Sequence, residues 1–201
     1  MKNILKKKGA DLVGFTTCKD YFSEYTSAVI IGVSALHMYR LEKKDTLQAM
    51  NELMDFINVS ARQLLIQEGY GTWGPLFSQE EFSHSQNQNF VPHRELAIRA
   101  GLGILGKNYL LVTPQVGPRL QLTTVLTTMP LVPDPPLPSS FSPCHRCTAC
   151  IDQCPQDALT DHLHQERCTK CYRCALACPV GEDFEIIQEF VTPGTSIWTM
   201  R

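Results

Sequence analysis

Apolar and polar positions along the first two thirds of the chain are arranged in short blocks that predict strands and one long helix. The stretches 11–17 and 28–35 are short and rich in branched apolar residues, as buried strands are. Between residues 46 and 68 apolar side chains recur at helical spacing, which predicts a long helix that ends before Gly69. The other predicted elements are a helix at 95–100 and strands at 108–113 and 120–128.

A proline-rich segment separates this region from the rest of the chain. Neither a helix interior nor a central strand accommodates the density of proline between Met129 and Pro143. We therefore predict a domain that binds a cofactor or substrate at 1–129, a linker at 130–143 and a small module with a tail at 144–201. Because helices and strands are mixed along the first domain, its predicted fold class is α+β.

Eight of the nine cysteines form two copies of one motif. Each copy reads C-x2-C-x2-C-x3-C-P, and the second follows the first at a spacing of 24 residues. Runs of this kind ligate 4Fe-4S clusters in bacterial two-cluster ferredoxins. Two zinc sites are the alternative, but zinc ribbons use paired C-x2-C knuckles instead. The module is predicted to be ferredoxin-like and to carry two 4Fe-4S clusters.

The repeated motif also predicts which cysteines share a cluster. In two-cluster ferredoxins the fourth cysteine of each run ligates the other cluster, which holds the clusters close together. The ligands of cluster A are therefore predicted to be Cys144, Cys147, Cys150 and Cys178, and those of cluster B to be Cys154, Cys168, Cys171 and Cys174. The ninth cysteine, Cys18, is predicted to be a small buried core residue.

Composition and charge narrow the class of protein. A net charge of −2 gives no strong positive field for duplex nucleic acid or an anionic membrane. No apolar run approaches the roughly 20 residues needed to span a bilayer, and no apolar signal core follows the first lysines. We expect a cytoplasmic chain with no membrane partner, where reduced cysteines favour metal ligation over disulfides.

The segment 101–108 contains a G-x-G-x-x-G pattern and nearly matches a phosphate loop. Both nucleotide motifs require a strand before the glycines and a helix after them, whereas here the predicted order is the reverse. What remains is a turn whose backbone comes close to neighbouring protein or to a cofactor.

The segment 94–112, followed by a strand, the proline-rich link and the double cysteine motif, resembles the epoxyqueuosine reductases and their shorter relatives. The resemblance implies a reductase in which cobalamin lies against the N-terminal domain and receives electrons from the clusters. The layout is similar in reductive dehalogenases. The resemblance implies an electron donor such as a reduced ferredoxin or flavodoxin, and tRNA as a partner. The residues that it places near the corrin are Gly101, Gly103, Gly106, Lys107 and Asn108.

One position departs from the family's pattern. Asn87 stands where the family has an aspartate that donates a proton, and an amide cannot give up a proton at neutral pH. His93 lies nearby and is the candidate catalytic proton donor, although it also suits a structural position at a helix start. The leading hypothesis is an iron-sulfur reductase. Its rivals are a non-catalytic electron carrier that docks onto a larger redox enzyme and a protein that reactivates another enzyme's corrinoid.

Overall fold

The computed structural model describes residues 1–34, 46–77 and 91–181. The elements in chain order are α1 (Lys2–Lys7), β1 (Leu12–Thr17), β2 (Ser27–Ser34), α2 (Thr46–Gln67), β3 (Thr72–Trp73), α3 (His93–Arg99), β4 (Ile104–Leu105), β5 (Leu111–Val112), β6 (Leu120–Thr127), α4 (Ala149–Asp152) and α5 (Arg173–Leu176). The predicted α+β class is confirmed, with a sheet region first and a cysteine-rich module after it.

The chain folds into two compact units that are each discontinuous in sequence. Of the described residues, the sheet unit comprises those within Met1–Val33, Gln48–Leu102 and Gln121–Pro136, and the cysteine unit comprises those within Ser34–Leu47, Gly103–Leu120 and Leu137–Arg201. These units differ from the predicted ranges 1–129, 130–143 and 144–201. The segment 103–120 groups with the cysteines, and the first half of the proline-rich segment groups with the sheet.

The sheet unit is built on four strands in the order β1-β2-β6-β3. β1 runs antiparallel to β2, with Phe15 opposite Val29, and β3 runs antiparallel to β6. Every residue of β2 is buried, as expected of an inner strand with neighbours on both edges. This explains why its sequence is a continuous apolar run rather than an alternating one.

The helix predicted at 46–68 is confirmed as α2. Its buried side chains follow one helical face and include Met50, Met54, Ile57, Ala61 and Leu65. The two methionines are fully enclosed in this apolar face, so they serve as core residues.

The first half of the proline-rich segment is part of the sheet unit because it hydrogen-bonds to β1. The amide of Asp134 donates to the carbonyl of Phe15 at 2.9 Å, and the Asp134 carboxylate accepts the Phe15 amide at 2.7 Å. The ammonium of Lys2 also pairs with this carboxylate. Gly101 lies against the same segment with φ of +66°, and a Cβ there would meet the carbonyl oxygen of Pro135 at 2.1 Å. Only glycine fits this approach.

The cysteine unit contains a small hairpin. β4 pairs antiparallel with β5, and the chain turns between Gly106 and Leu110. The strand predicted at 108–113 is therefore shorter, because its first half forms the turn. The helical turns α4 and α5, one in each cysteine motif, pack against each other. None of the helices in the described part of the chain combines the length and apolar composition needed to cross a bilayer.

Candidate iron-sulfur centre

The four cysteines predicted for cluster A line one cavity of the cysteine unit. Three come from the first motif and the fourth, Cys178, comes from the second, so the crossed arrangement is present in the fold. The complete lining is Cys144, Cys147, Cys150, Cys178, Pro143, Pro179, Val180, Lys107, Asn108 and Val112. The space between these side chains, including the part open to solvent, is about 310 Å³. Four converging sulfurs with proline and valine walls are the donor set that a cubane cluster requires.

Local structure explains how the first motif presents its sulfurs. α4 begins after Thr148, whose carbonyl accepts the amides of Ile151 and Asp152 at 2.8 and 3.0 Å. The Thr148 hydroxyl also donates to the Asp152 carboxylate at 2.8 Å, which fixes the first turn of the helix. Cys147 therefore stays in the loop while Cys150 is carried on the helical turn, and the short spacing directs both into one cavity.

The electrostatics of the cavity fit a cluster. Burial raises the pKa of the Cys150 thiol, and the neighbouring Cys178, Cys144 and Cys147 raise it further. Burial also raises the pKa of Cys178. Four thiolates cannot share this space unless a cation compensates them, and iron supplies that positive charge. The occupation of the cavity by a cluster stays a prediction.

The cysteines predicted for cluster B are also brought together. Burial raises the pKa of Cys174 to about 12, and among the charges that raise it are those of Cys171, Cys168 and Cys154. The charge of Cys150, from the other set, also raises the pKa of Cys174. Cys168 is exposed, in contrast to the buried Cys150 and Cys178 of the first set.

Lys107 makes contacts that the sequence did not predict. Its ammonium donates to the carbonyls of Cys147 at 3.0 Å and His145 at 3.3 Å. It therefore fixes the first cysteine loop and places a positive charge beside cluster A. The buried Asn108 accepts the Leu110 amide at 3.2 Å through its side-chain oxygen and closes the turn between β4 and β5. Their predicted role in holding a corrin stays a prediction.

The glycines of the same segment are explained by close protein neighbours. A Cβ on Gly103 would lie 2.6 Å from the carbonyl oxygen of Val112. A Cβ on Gly106 would lie 2.6 Å from both the Asn108 side-chain oxygen and Val112. Of the two explanations left open by the sequence, neighbouring protein is therefore sufficient for these glycines, and their predicted contact with a cofactor stays a prediction.

Arg119 is a functional candidate that sequence reasoning missed. Its side chain is only 1% exposed, and its guanidinium donates to the carbonyls of Cys178 at 2.7 Å, Val180 at 2.6 Å and Ala175 at 3.3 Å. The positive charge also lowers the pKa of Cys178, against the larger effect of burial. A single arginine ahead of a predicted strand gives no signal that distinguishes it from a surface residue.

His93 lies in the sheet unit as the first residue of α3. Its Nδ1 is 2.8 Å from the hydroxyl of the buried Thr124. Burial among protein atoms lowers the pKa of His93 to about 4, so the ring is uncharged at neutral pH. A proton donor here would have to act as a neutral imidazole, and the catalytic role stays a prediction. Asn87, at the position of the family's acid, lies outside the described residues.

Comparison with known sequences identifies the cysteine-rich part. Residues 141–157 and 162–181 each match a family described as a 4Fe-4S binding domain. The chain is 32% identical to the epoxyqueuosine reductase of Bacillus subtilis (strain 168) over an alignment of 123 residues, and the match covers 48% of this chain and 31% of that protein. It is 41% identical to the tetrachloroethene reductive dehalogenase of Sulfurospirillum multivorans over 66 residues, 32% of this chain and 13% of that protein.

The fold is also shared with solved structures. A structure described as a reductive dehalogenase that suggests a mechanism for B12-dependent dehalogenation superposes with a TM-score of 0.67 at 18% identity. The match covers 92% of this chain and 33% of that one. The chain thus spans a third or less of the length of each of these three proteins.

Proposed function

Since this chain is a 4Fe-4S protein related to the epoxyqueuosine reductases and reductive dehalogenases, of which it spans only part, we propose that it is an iron-sulfur oxidoreductase that relays single electrons. The observation that carries the proposal is the cavity lined by Cys144, Cys147, Cys150 and Cys178. Ligands drawn from both motifs would hold two clusters close together, as electron transfer between them requires.

In the proposed relay each cluster would supply a one-electron redox centre. Cys154, Cys168, Cys171 and Cys174 would hold cluster B, and the exposed Cys168 would leave it open to a reduced ferredoxin or flavodoxin as the electron donor. Cys144, Cys147, Cys150 and Cys178 would hold cluster A, which would serve the acceptor. Two one-electron transfers would oxidise the donor by two electrons in total and reduce the acceptor by two.

We propose further that the acceptor is a corrinoid bound against the glycine segment 103–108. Support comes from the fold shared with a protein described as carrying out B12-dependent dehalogenation. Leu105 on β4 is 49% exposed and offers an apolar surface to a flat ring. When bound, a corrinoid would supply a cobalt ion that takes up electrons singly. The protein's part would be to position the ring beside Lys107 and the loop that this lysine holds.

A second candidate function is that of a non-catalytic electron carrier for a larger redox enzyme. One observation favours it: the polar groups of Lys107 and Asn108 already have partners in the protein's own backbone. In this case Leu105 would contact a protein partner instead of a corrin.

An anaerobic titration with cobalamin distinguishes the two functions. The reconstituted protein is reduced with dithionite, freed of excess reductant and mixed with cobalamin while its ultraviolet-visible spectrum is followed. A reductase gives a shift of the corrin bands on binding and reduction of cobalt as the cluster absorbance returns to its oxidised form. Reduced clusters that leave the corrin spectrum unchanged would reject the corrinoid acceptor and favour the electron carrier. Cys178→Ser is the control, because losing cluster A should stop the transfer without altering the sheet unit.

A further inference from the structure

A group of metal-binding side chains that belongs to neither cluster lies between the two cysteine motifs. Asp161, His162 and His164 each place one ligand atom within 4.8 Å of the others. The imidazole rings of His162 and His164 lie 4.0 Å apart between centroids, and Nδ1 of His162 is 2.9 Å from the Asp161 carboxylate. We call these three residues the histidine group.

Backbone hydrogen bonds hold the histidine group in a tight hairpin. Leu159 and Leu163 form an antiparallel bridge, and the amide of Thr160 donates to the carbonyl of His162 at 3.2 Å. The amide of His164 donates to the carbonyl of Ala158 at 2.9 Å. Because residues two apart in extended backbone point to the same side, the hairpin directs both imidazoles to one face.

The donor set specifies the class of ion. Two imidazole nitrogens and one carboxylate suit a divalent transition metal such as Zn²⁺, with a fourth position left for water. Nδ1 of His164 lies 3.2 Å from the Glu166 carboxylate, the kind of outer partner that orients a metal-bound histidine. Nε2 of His164 lies 3.1 Å from the Thr160 hydroxyl, a contact that a bound ion would replace. The Thr160 hydroxyl donates to the Asp161 carboxylate at 2.8 Å and holds it in place. Asp161 and His162 are well exposed, so an ion can enter.

The hairpin is joined at both ends to predicted ligands of cluster B. The amide of Cys168 donates to the carbonyl of His164 at 3.2 Å, and the amide of Ala158 donates to the sulfur of Cys154 at 3.3 Å. An ion held by the histidine group would therefore order the segment between two cluster ligands and add positive charge near the cluster. The positive charge favours the reduced, more negative state of cluster B.

We propose that Asp161, His162 and His164 form a site for a divalent transition-metal ion of the Zn²⁺ class, and that its occupancy raises the reduction potential of cluster B. The binding site stands on the geometry of the histidine group alone. The effect on potential rests in addition on the proposed function, since it requires cluster B to be present.

Metal binding is tested on the reconstituted protein with both clusters in place. The protein is dialysed anaerobically against Zn²⁺ at micromolar concentrations, and zinc and iron are counted separately by mass spectrometry. We expect one zinc per chain with full retention of iron. His162→Gln and His164→Gln should each weaken zinc binding about 10- to 100-fold, as loss of a metal ligand or its orientation does. His145→Gln is the matched control, because His145 is an exposed histidine of the same unit outside the group.

Each other outcome overturns a named part of the inference. No zinc uptake, or uptake that both glutamine variants leave unchanged, would overturn the site. Zinc uptake at the expense of iron would mean that cysteines bind it, and would also overturn the site. A redox titration with and without bound zinc tests the second half, because an unchanged potential in protein that holds both metals would overturn the coupling. A protein that takes up no iron but binds one zinc that both glutamine variants lose would contradict the proposed function and leave the zinc site supported.

Discussion

The two cysteine motifs have the same spacing but different surroundings. The carbonyls of the cluster A loops are hydrogen-bonded by two cations, Lys107 on one side and Arg119 on the other. Cys150 and Cys178 are buried there, whereas Cys168 of cluster B is exposed. The repeat therefore determines which residues supply the sulfurs, while the segment 103–120, outside the repeat, makes the two sites unequal.

This difference would give the proposed relay a direction. The exposed Cys168 suits cluster B to the receiving end, since a protein donor must come close to a cluster to pass an electron to it. An enclosed cluster A between two positive side chains suits the delivering end, because charge and hydrogen bonding tune cluster potentials. The following experiments test the comparison in order of decreasing effect.

The largest effect is expected from removing single ligands. Cys178→Ser should lose cluster A, and Cys168→Ser should lose cluster B, each with about half of the iron and sulfide. Cys18→Ser is the matched control, because Cys18 is fully buried in the sheet unit and burial raises its pKa to about 11. Full iron content in Cys178→Ser would refute the crossed ligand sets.

Arg119→Leu should cause the next largest loss. The substitution removes the hydrogen-bond donor of three carbonyls, two of which belong to the buried residues Ala175 and Cys178. We expect the free energy of unfolding to fall by an amount on the order of 3 kcal/mol. We expect faster bleaching of the cluster absorbance at a fixed temperature and a lower urea midpoint. Arg119→Lys retains the charge but not the guanidinium geometry, so it should restore the potential of cluster A more fully than the stability. Equal behaviour of the two variants would contradict this explanation.

Lys107→Gln should change the potential of cluster A with little loss of stability. An amide can still donate to a carbonyl, but the positive charge that stabilises the reduced cluster is gone. The reduction potential of one cluster should fall by about 60 mV, a tenfold change for a one-electron couple. The control is Lys6→Gln on the exposed side of α1, which should leave both potentials unchanged. An equal shift of both clusters on replacing Lys107 would argue against a local effect.

His93 provides the smallest predicted effect and tests the sheet unit. Its pKa falls from 6.5 to about 4 on folding, so the unfolded chain binds the extra proton first as the pH drops. The contribution of the neutral His93 ring to the free energy of unfolding is therefore fully present above pH 6.5. It is lost progressively as the pH falls towards 4. Between pH 7.5 and pH 5.5 the free energy of unfolding should fall by about 1 kcal/mol. Urea unfolding followed by tryptophan fluorescence measures this change.

His93→Gln supplies the comparison for this pH effect. The variant lacks the titrating ring, so its stability should depend less on pH over the same range. His162→Gln, an exposed histidine outside the sheet unit, should retain the wild-type dependence. An identical pH dependence in wild type and His93→Gln would refute the burial of a neutral ring.

The sequence was informative where structure depends on neighbours along the chain. α2 and the strands β1, β2 and β6 were predicted because their apolar spacing is continuous. The cysteine that crosses into the other set, Cys178, was predicted because the motif repeats. In both cases the determining pattern is a regular spacing along the chain.

Long-range contacts account for what the sequence did not reveal. The pairing of Asp134 with Phe15 joins residues 119 positions apart, and Arg119 reaches the carbonyl of Cys178 across 59 positions. A hydrogen bond between a side chain and a distant backbone carbonyl produces no repeating pattern in the sequence. For the same reason the glycine segment appeared to be a candidate for cofactor binding. In the structure, the lack of space for a Cβ at Gly103 and Gly106 is explained by contacts with Val112 and Asn108.

The most direct test of the account is a redox titration followed by electron paramagnetic resonance, performed on the anaerobically reconstituted chain with iron and sulfide counted. The account predicts about eight iron atoms per chain and two one-electron reductions. The spectrum of the fully reduced protein should be broadened by magnetic interaction between two neighbouring clusters. About four iron atoms, zinc in place of iron, or two signals without interaction would contradict the paired-cluster relay.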